Sequence, residues 1–381
     1  MSQGRSFLMI QPEEFREQTA ARLLADVERA CHLRAFVGLD GFVDQIIHVV
    51  DKRDNAESFQ RLPTINRLAD RLAAAAGKST NVELVVQRTK LGGNGPIMAN
   101  ALARMGMKVT YLGALGYPTL HPVFKDFAQH ADLYSITDPG QTDALEFEDG
   151  KLMLTKTTSL NEITWSNIQR RYGRDKFIEH FSTADLVAFV NWTMIPYMSE
   201  LWDSLLREFC PANTGVRRKI FFDLADPEKR TGDDIARALQ LIGQFEKYFE
   251  VILGLNEKEA HEIGDVLGLS FGSKSRDALA SLALDIRKKA SLSTIVVHPV
   301  TFALAATADV VSMVDGPFVA KPLITTGAGD HFNSGFCLGK LLGFDNGGAL
   351  LTGVTTSGYY VRTGQSPDLG NLAEMLRNWP E

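Results

Sequence analysis

Apolar and polar positions alternate along the chain in two rhythms, one of helices and one of strands. Over 13–30, Phe15, Leu23, Leu24, Val27 and Ala30 recur among acids and arginines, which is the spacing of an amphipathic helix. The run 34–39 is short and apolar, reads as a strand, and ends in Asp40-Gly41-Phe42-Val43-Asp44. A helix is predicted over 58–76, a strand over 82–86, a helix over 97–105 closed by Gly106, and a buried strand over 108–115. Leu145, Phe147, Leu152 and Leu154 alternate around Asp149-Gly150, a hairpin signal. Strands then follow at 185–190, 219–224, 250–255, 294–297 and 302–306, with helices at 196–209, 233–245, 257–267 and 275–289. Strands separated by helices imply an α/β chain with a mainly parallel sheet covered on both faces. The hairpin reads as a flap on that sheet, and no linker divides the sequence, so one domain is expected over 1–381.

Composition narrows the function. A 45% hydrophobic content over 381 residues supplies a large core, and a net charge of −6 argues against broad binding to nucleic acid or anionic membrane. Cys31, Cys210 and Cys337 are scattered and odd in number, which fits a reducing cytoplasm. No apolar run approaches the ~20 residues that cross a bilayer, and 11–29 is too charged for a secretion signal.

The candidate chemistry is concentrated at Thr325-Thr326-Gly327-Ala328-Gly329-Asp330. Phe332, Gly335, Phe336, Gly339 and Leu342 continue from it at helical spacing. A glycine turn entering a helix exposes first-turn amides as an anion site, with Asp330 at its edge where a carboxylate can take a hydroxyl proton. A base beside a phosphate cradle suggests phosphoryl transfer to an alcohol, although Asp is also a common helix cap. Asp40 and Asp44 lie past the end of a buried strand, a ligand position in open sheets, and Asp40 reads equally as a turn residue. Leu91-Gly92-Gly93-Asn94-Gly95-Pro96 joins a strand to a helix and brings backbone and one amide close to a small polar ligand; a plain turn fits it as well. Asn256 and Glu259 read as a ligand pair after a strand or as a capping box.

Two other motif matches fail on context. Ala73–Thr80 ends in Gly77-Lys78-Ser79-Thr80, but it lacks the first glycine of a P-loop and follows a helix instead of a strand. Gly268-Leu269-Ser270-Phe271-Gly272 has nucleophile-elbow spacing, yet helical residues precede Ser270. The eight histidines show no metal-ligand spacing, and His331 stands beside Asp330.

The order of these motifs resembles the ribokinase-like (PfkB) carbohydrate kinases from about Ala35 to Pro367. The resemblance implies a three-layer α/β/α fold with a small β lid, here from roughly 42–52 and 133–158. It implies transfer of the ATP γ-phosphate to a hydroxyl of a sugar or sugar-like alcohol, with Mg2+. Asp330 would then be the base, and Gly327, Ala328 and Gly329 the anion hole. Asp44, Asp40, Gly93 and Asn94 would bind the sugar. Asn256, Glu259, Thr325 and Thr326 would serve the nucleotide, Glu259 holding the metal through water. A nucleoside kinase, for which Phe42, Ile97 and Trp192 would form an apolar acceptor wall, is the alternative of the same fold. A non-catalytic sugar-binding or regulatory protein is the alternative of another class, and a homodimer through the lid is left open.

Departures from the family pattern mark a divergent member. Ile324 stands where an Asp usually serves a monovalent cation, so activation by K+ is not expected. Ile97 replaces a common Asn, and Asp223-Leu224-Ala225-Asp226 lacks another. The nucleotide loop, usually Thr-x-Gly-x-x-Gly, reads His298-Pro299-Val300-Thr301-Phe302-Ala303, with both glycines gone.

Overall fold

In the computed structural model, which describes residues 6–9, 13–212, 215, 217–270, 275–308 and 310–380, the strands form two sheets. Among the described residues the large sheet has ten strands. Their order is Ser6–Met9, Val310–Asp315, Phe302–Thr307, Thr294–Val297, Phe249–Leu255, Arg218–Asp223, Leu186–Phe189, Arg34–Leu39, Lys108–Ala114 and Asp132–Thr137. Phe302–Thr307 runs antiparallel to both neighbours, and the other pairings are parallel. This is the α/β, ribokinase-like three-layer architecture expected from the sequence.

Alternation along the central strands builds the layers. Phe36, Phe189, Phe222 and Leu253 face one apolar core, against helices such as Met198–Glu208 and Gly232–Phe245. Val37, Ala188, Phe221 and Ile252 face the other, against Asn94–Arg104, Ala328–Leu341 and Asn346–Thr363. Burial on both faces explains why these strands read as continuous apolar runs.

The smaller sheet is built on the long strand Phe42–Arg53. It pairs antiparallel with Leu84–Gly92 and Phe59–Arg61, and parallel with Gly140–Glu146, which forms the expected hairpin with Lys151–Lys156. Ile47, Val49, Leu68 and Leu145 pack a small core beneath it. The boundary at 133 differs from the expectation, because Asp132–Thr137 lies at the edge of the large sheet.

The helix expected over 58–76 is shorter. Phe59–Arg61 is a strand, Pro63 interrupts, and Thr64 caps Ile65–Ala74 by accepting from the Arg67 amide at 3.3 Å. Gly77 follows that helix at φ +74°, in keeping with a helix terminus and not a P-loop. Ser270 is exposed beyond the helix Glu257–Val266, which disposes of the elbow; Phe271 and Gly272 lie outside the described residues. Among the described residues, no helix is long and apolar enough to cross a membrane.

Candidate active site

The helix Ala328–Leu341 starts from Gly327, which sits at φ +94° and ψ 0°, a conformation that only glycine takes without strain. No side chain caps this helix start. The Ala328 amide turns back to the Thr325 carbonyl at 3.1 Å, whereas the amides of Gly327, Gly329 and Asp330 meet no acceptor among the described residues. Of the Gly327–Gly329 set anticipated for the anion hole, Ala328 alone has its amide taken up, and Asp330 adds a further free donor. Such amides at a helix N-terminus favour a phosphate oxygen.

His331 braces this loop from behind. Its Nδ1 donates to the Gly327 carbonyl at 2.7 Å, which leaves Nε2 to accept from the Ser366 hydroxyl at 2.9 Å. Tyr360 stacks on the ring, with centroids 3.7 Å apart, and donates to the Thr326 carbonyl at 3.0 Å. Burial pushes the His331 imidazole down to about 4, so it is neutral and structural near pH 7. The histidine beside Asp330 in sequence thus points away from it in space.

Asp330 is buried, and its Oδ1 accepts from Asn94 Nδ2 at 2.9 Å. Burial raises its carboxyl to about 8, the Asn94 bond opposes the rise, Asp40 and Glu259 add to it, and Lys90 opposes it. A carboxyl near the operating pH, within a cleft, has the properties of a general base.

The other anticipated site residues divide into groups. Gly93, Asn94, Asp44, Asn256, Glu259, Thr326, Gly327, Gly329 and Asp330 all line one cleft of about 540 Å³ between the two sheets. Asp40 does not line it. Its two carboxylate oxygens accept the Asn94 and Gly95 amides at 2.9 Å each, and Asn191 Nδ2 at 2.7 Å, so it anchors the start of Asn94–Arg104. Thr325 and Ala328 line an adjoining cavity of about 290 Å³. Asp44 pairs with Lys90 across the small sheet at 3.8 Å, and burial raises its carboxyl while Lys90 opposes.

Asn256 and Glu259 form a complete capping box. Asn256 Oδ1 accepts the Glu259 amide at 2.9 Å and Glu259 Oε2 accepts the Asn256 amide at 2.8 Å. Glu259 Oε1 also accepts the Asp226 amide at 2.9 Å, fixing two strand ends together. The capping reading of this pair is seen directly, and both residues also line the cleft.

The family model for prokaryotic ketohexokinase matches residues 17–379. The chain belongs to the prokaryotic ketohexokinase family. It is 30% identical over 348 residues to the ketohexokinase of Haloferax volcanii, covering 91% of each chain. Its fold is similar to ribokinase from Cryptococcus neoformans, with TM-score 0.62, 17% identity and coverage of 90% of this chain and 99% of that one. It is also similar to phosphofructokinase-2 from Escherichia coli, with TM-score 0.62, 14% identity and coverage of 91% and 99%. The family lies within the ribokinase/PfkB-like carbohydrate kinases, which are ATP-dependent.

Within this ketohexokinase-family chain, several cleft residues were not among the anticipated site residues. Asn191, Ala225 and Asp226 line the cleft at positive φ (59°, 56° and 57°), where the strands Leu186–Phe189 and Arg218–Asp223 end. Strained non-glycine residues at strand ends are characteristic of sites, and no sequence pattern announces them. Asp223 is buried, accepts Asn333 Nδ2 at 2.9 Å, and is raised well above the usual carboxylate range by burial and by Glu259 and Asp330. Lys229 reaches the cleft and pairs with Asp226 at 3.2 Å. Trp192 is no acceptor wall: it is buried, donates to Ser199 Oγ at 2.9 Å, and lies under Arg230. Phe42 and Ile97 do line the cleft, and Ile97 packs where a Cβ on Gly327 would meet it at 3.2 Å.

Proposed function

We propose that this protein is a ketohexose kinase that transfers the γ-phosphoryl group of ATP to a sugar hydroxyl. The observation that carries the reading is Asp330, held by Asn94 at the mouth of a loop with free amides at Gly327, Gly329 and Asp330, facing a cleft lined by hydroxyl-binding side chains. Asp330 takes the acceptor proton as the hydroxyl attacks phosphorus, and the Gly329 and Asp330 amides receive charge on the transferring group. Asp44, Asn94, Thr142 and Thr155 offer the sugar polar contacts, and Phe42, Ile97, Met153 and Met194 supply apolar walls to the same cleft. The family match and the Haloferax volcanii relative support a ketohexose in particular.

The adjoining cavity suits the donor. Phe302, Pro317, Phe318, Val319 and Val361 line it, giving a largely apolar seat for a base, and it opens onto Gly329. Among the described residues, no group of three or more His, Cys, Asp or Glu is arranged to hold a metal by itself. Mg2+ keeps most of its waters and binds mainly through phosphates. Asp223, Asp226 and Glu259 are the side chains that would hold it through water, and when bound it would neutralise phosphate charge.

The test is a coupled assay with magnesium ATP over ketohexoses, aldohexoses, pentoses and nucleosides. The expected result is the highest kcat/KM with a ketohexose. Turnover confined to nucleosides, or absent throughout the panel, overturns the assignment.

A further inference from the structure

In the small sheet, Lys90 lies opposite Asp44 on the antiparallel strand Leu84–Gly92. Thr142 lies opposite Asp44 on the other side, on the parallel strand Gly140–Glu146. Residues paired across strands share a face, so Lys90 stands on the side of the sheet from which Asp44 reaches the cleft. Lys90 Nζ is 3.8 Å from Asp44 Oδ2, and the pair is nearly closed to solvent, the two side chains being 16% and 6% exposed. Asp44 lines the cleft and Lys90 does not.

Gly92 fixes where the carboxylate goes. It pairs with Phe42, one diagonal step from Asp44, and a Cβ built on it would fall on the carboxyl carbon and both oxygens of Asp44. The Asp44 side chain therefore crosses to the space that a side chain at 92 would fill, next to the Gly93-Asn94 turn that reaches Asp330. Gly92 ends a strand without a positive φ, so the carboxylate and not the backbone angle is what a methyl group there would disturb. Burial pushes the Asp44 carboxyl up, and Lys90, ahead of Thr142 and Lys151, holds it down. Burial pushes the Lys90 ammonium down, and Asp44, ahead of Asp330, holds it up against Lys151 and Arg88. Lys151 is itself paired with Glu146 at 3.0 Å. Each member of the Asp44–Lys90 pair is thus the main support of the other's charge.

Resting on the sugar kinase reading above, we propose that Lys90 is a positioning residue for the acceptor: through the ion pair it holds the Asp44 carboxylate over Gly92, where that carboxylate accepts hydroxyl groups of the sugar. The alternative is that the pair only pins the strand Phe42–Arg53 to Leu84–Gly92. A pin acts on stability. A positioning residue acts on acceptor affinity, and only while Asp44 is present.

Calorimetry on the full chain would use whichever acceptor of the panel the wild type binds most tightly. Lys90→Met keeps the length of the side chain and loses its charge, and is expected to weaken that acceptor about tenfold. Gly92→Ala keeps Lys90 and places a methyl group where the carboxylate lies, and is expected to weaken it by about the same factor. In an Asp44→Asn background, Lys90→Met should weaken binding by less than about twofold, because the group it acts through has lost its charge. In turnover, Lys90→Met should raise KM for the acceptor and leave KM for ATP within about twofold of wild type. Unchanged acceptor affinity in Lys90→Met or Gly92→Ala overturns the proposal, as does a loss equally large with and without Asp44, or a wild type that binds no acceptor of the panel. If the wild type binds an acceptor yet phosphorylates nothing, the ketohexose kinase reading falls, and the affinity comparison still decides the role of Lys90.

Discussion

Asn94 Nδ2 donates to Asp330 Oδ1 at 2.9 Å, joining side chains 236 positions apart in the chain. The bond ties the glycine loop after Leu84–Gly92 to the first turn of Ala328–Leu341. It also opposes the burial that drives the Asp330 carboxyl upward. Asn94→Ala should therefore move that carboxyl further up and free its orientation. The expected outcome is a fall in kcat/KM at pH 7 of about tenfold, with the rising limb of the pH–rate profile displaced to higher pH. An unchanged profile would separate Asn94 from the base.

Asp330 itself sets two pH dependences. As a base it works ionised, so kcat/KM for the free enzyme should climb through a pH near 8. Asp330→Asn should lower kcat by about 10²–10⁴-fold. For stability the sign is opposite. Between the ordinary 3.8 and about 8, the folded chain holds a proton that the unfolded chain releases. Stability is fully present below the lower value and falls by about 1.4 kcal/mol per pH unit from this group between the two. Melting temperature against pH should be flatter in Asp330→Asn than in wild type. An Asn variant with wild-type turnover would falsify the base assignment.

Much of this was legible in the sequence, and the remainder was hidden for physical reasons. The strands flanking Phe36, Phe222 and Leu253 showed because burial on two faces leaves continuous apolar runs. The helix Asn346–Thr363 did not show, because Gly347, Gly348, Gly353 and Gly358 give it poor intrinsic propensity. Its packing needs small residues: a Cβ on Gly339 would lie 2.8 Å from Ala349 Cα, and one on Gly335 would collide with Thr356. At the site, Thr326-Gly327-Ala328-Gly329-Asp330 is a local signal, whereas the cleft positions of Asn191, Asp223 and His298 depend on where separate strands end. Asp40 misled because a carboxylate past a strand end has the same sequence signature whether it binds a ligand or, as here, the amides of Asn94 and Gly95.

That placement of Asp40 gives a prediction that separates folding from function. An Asn at this position turns an amide N–H toward donors that now meet an acceptor, and leaves at least one of the Asn94, Gly95 or Asn191 groups unpaired. Asp40→Asn should cost about 3 kcal/mol of stability, read by denaturant unfolding, while KM for the sugar in the surviving folded enzyme stays within about twofold. A variant of normal stability with a sharply raised sugar KM would return Asp40 to the acceptor site.

Gly329 offers the most local test of the anion loop. It is helical, so alanine there carries no backbone strain, unlike Gly327 at φ +94°. Alanine is also the better helix former, which by itself favours the folded state by up to about 1 kcal/mol. The added methyl group meets His298 Cε1 at 3.0 Å, in the passage that joins the two cavities. It can be accommodated only if the imidazole gives way, and it narrows the space where the phosphoryl group must sit against the Gly329 and Asp330 amides. Gly329→Ala should therefore keep or slightly raise the melting temperature and lower kcat by at least about a hundredfold, the range seen when one oxyanion donor is lost. Loss of stability in proportion to activity would make Gly329 a packing glycine. Full activity in a stable variant would move phosphoryl transfer away from this loop.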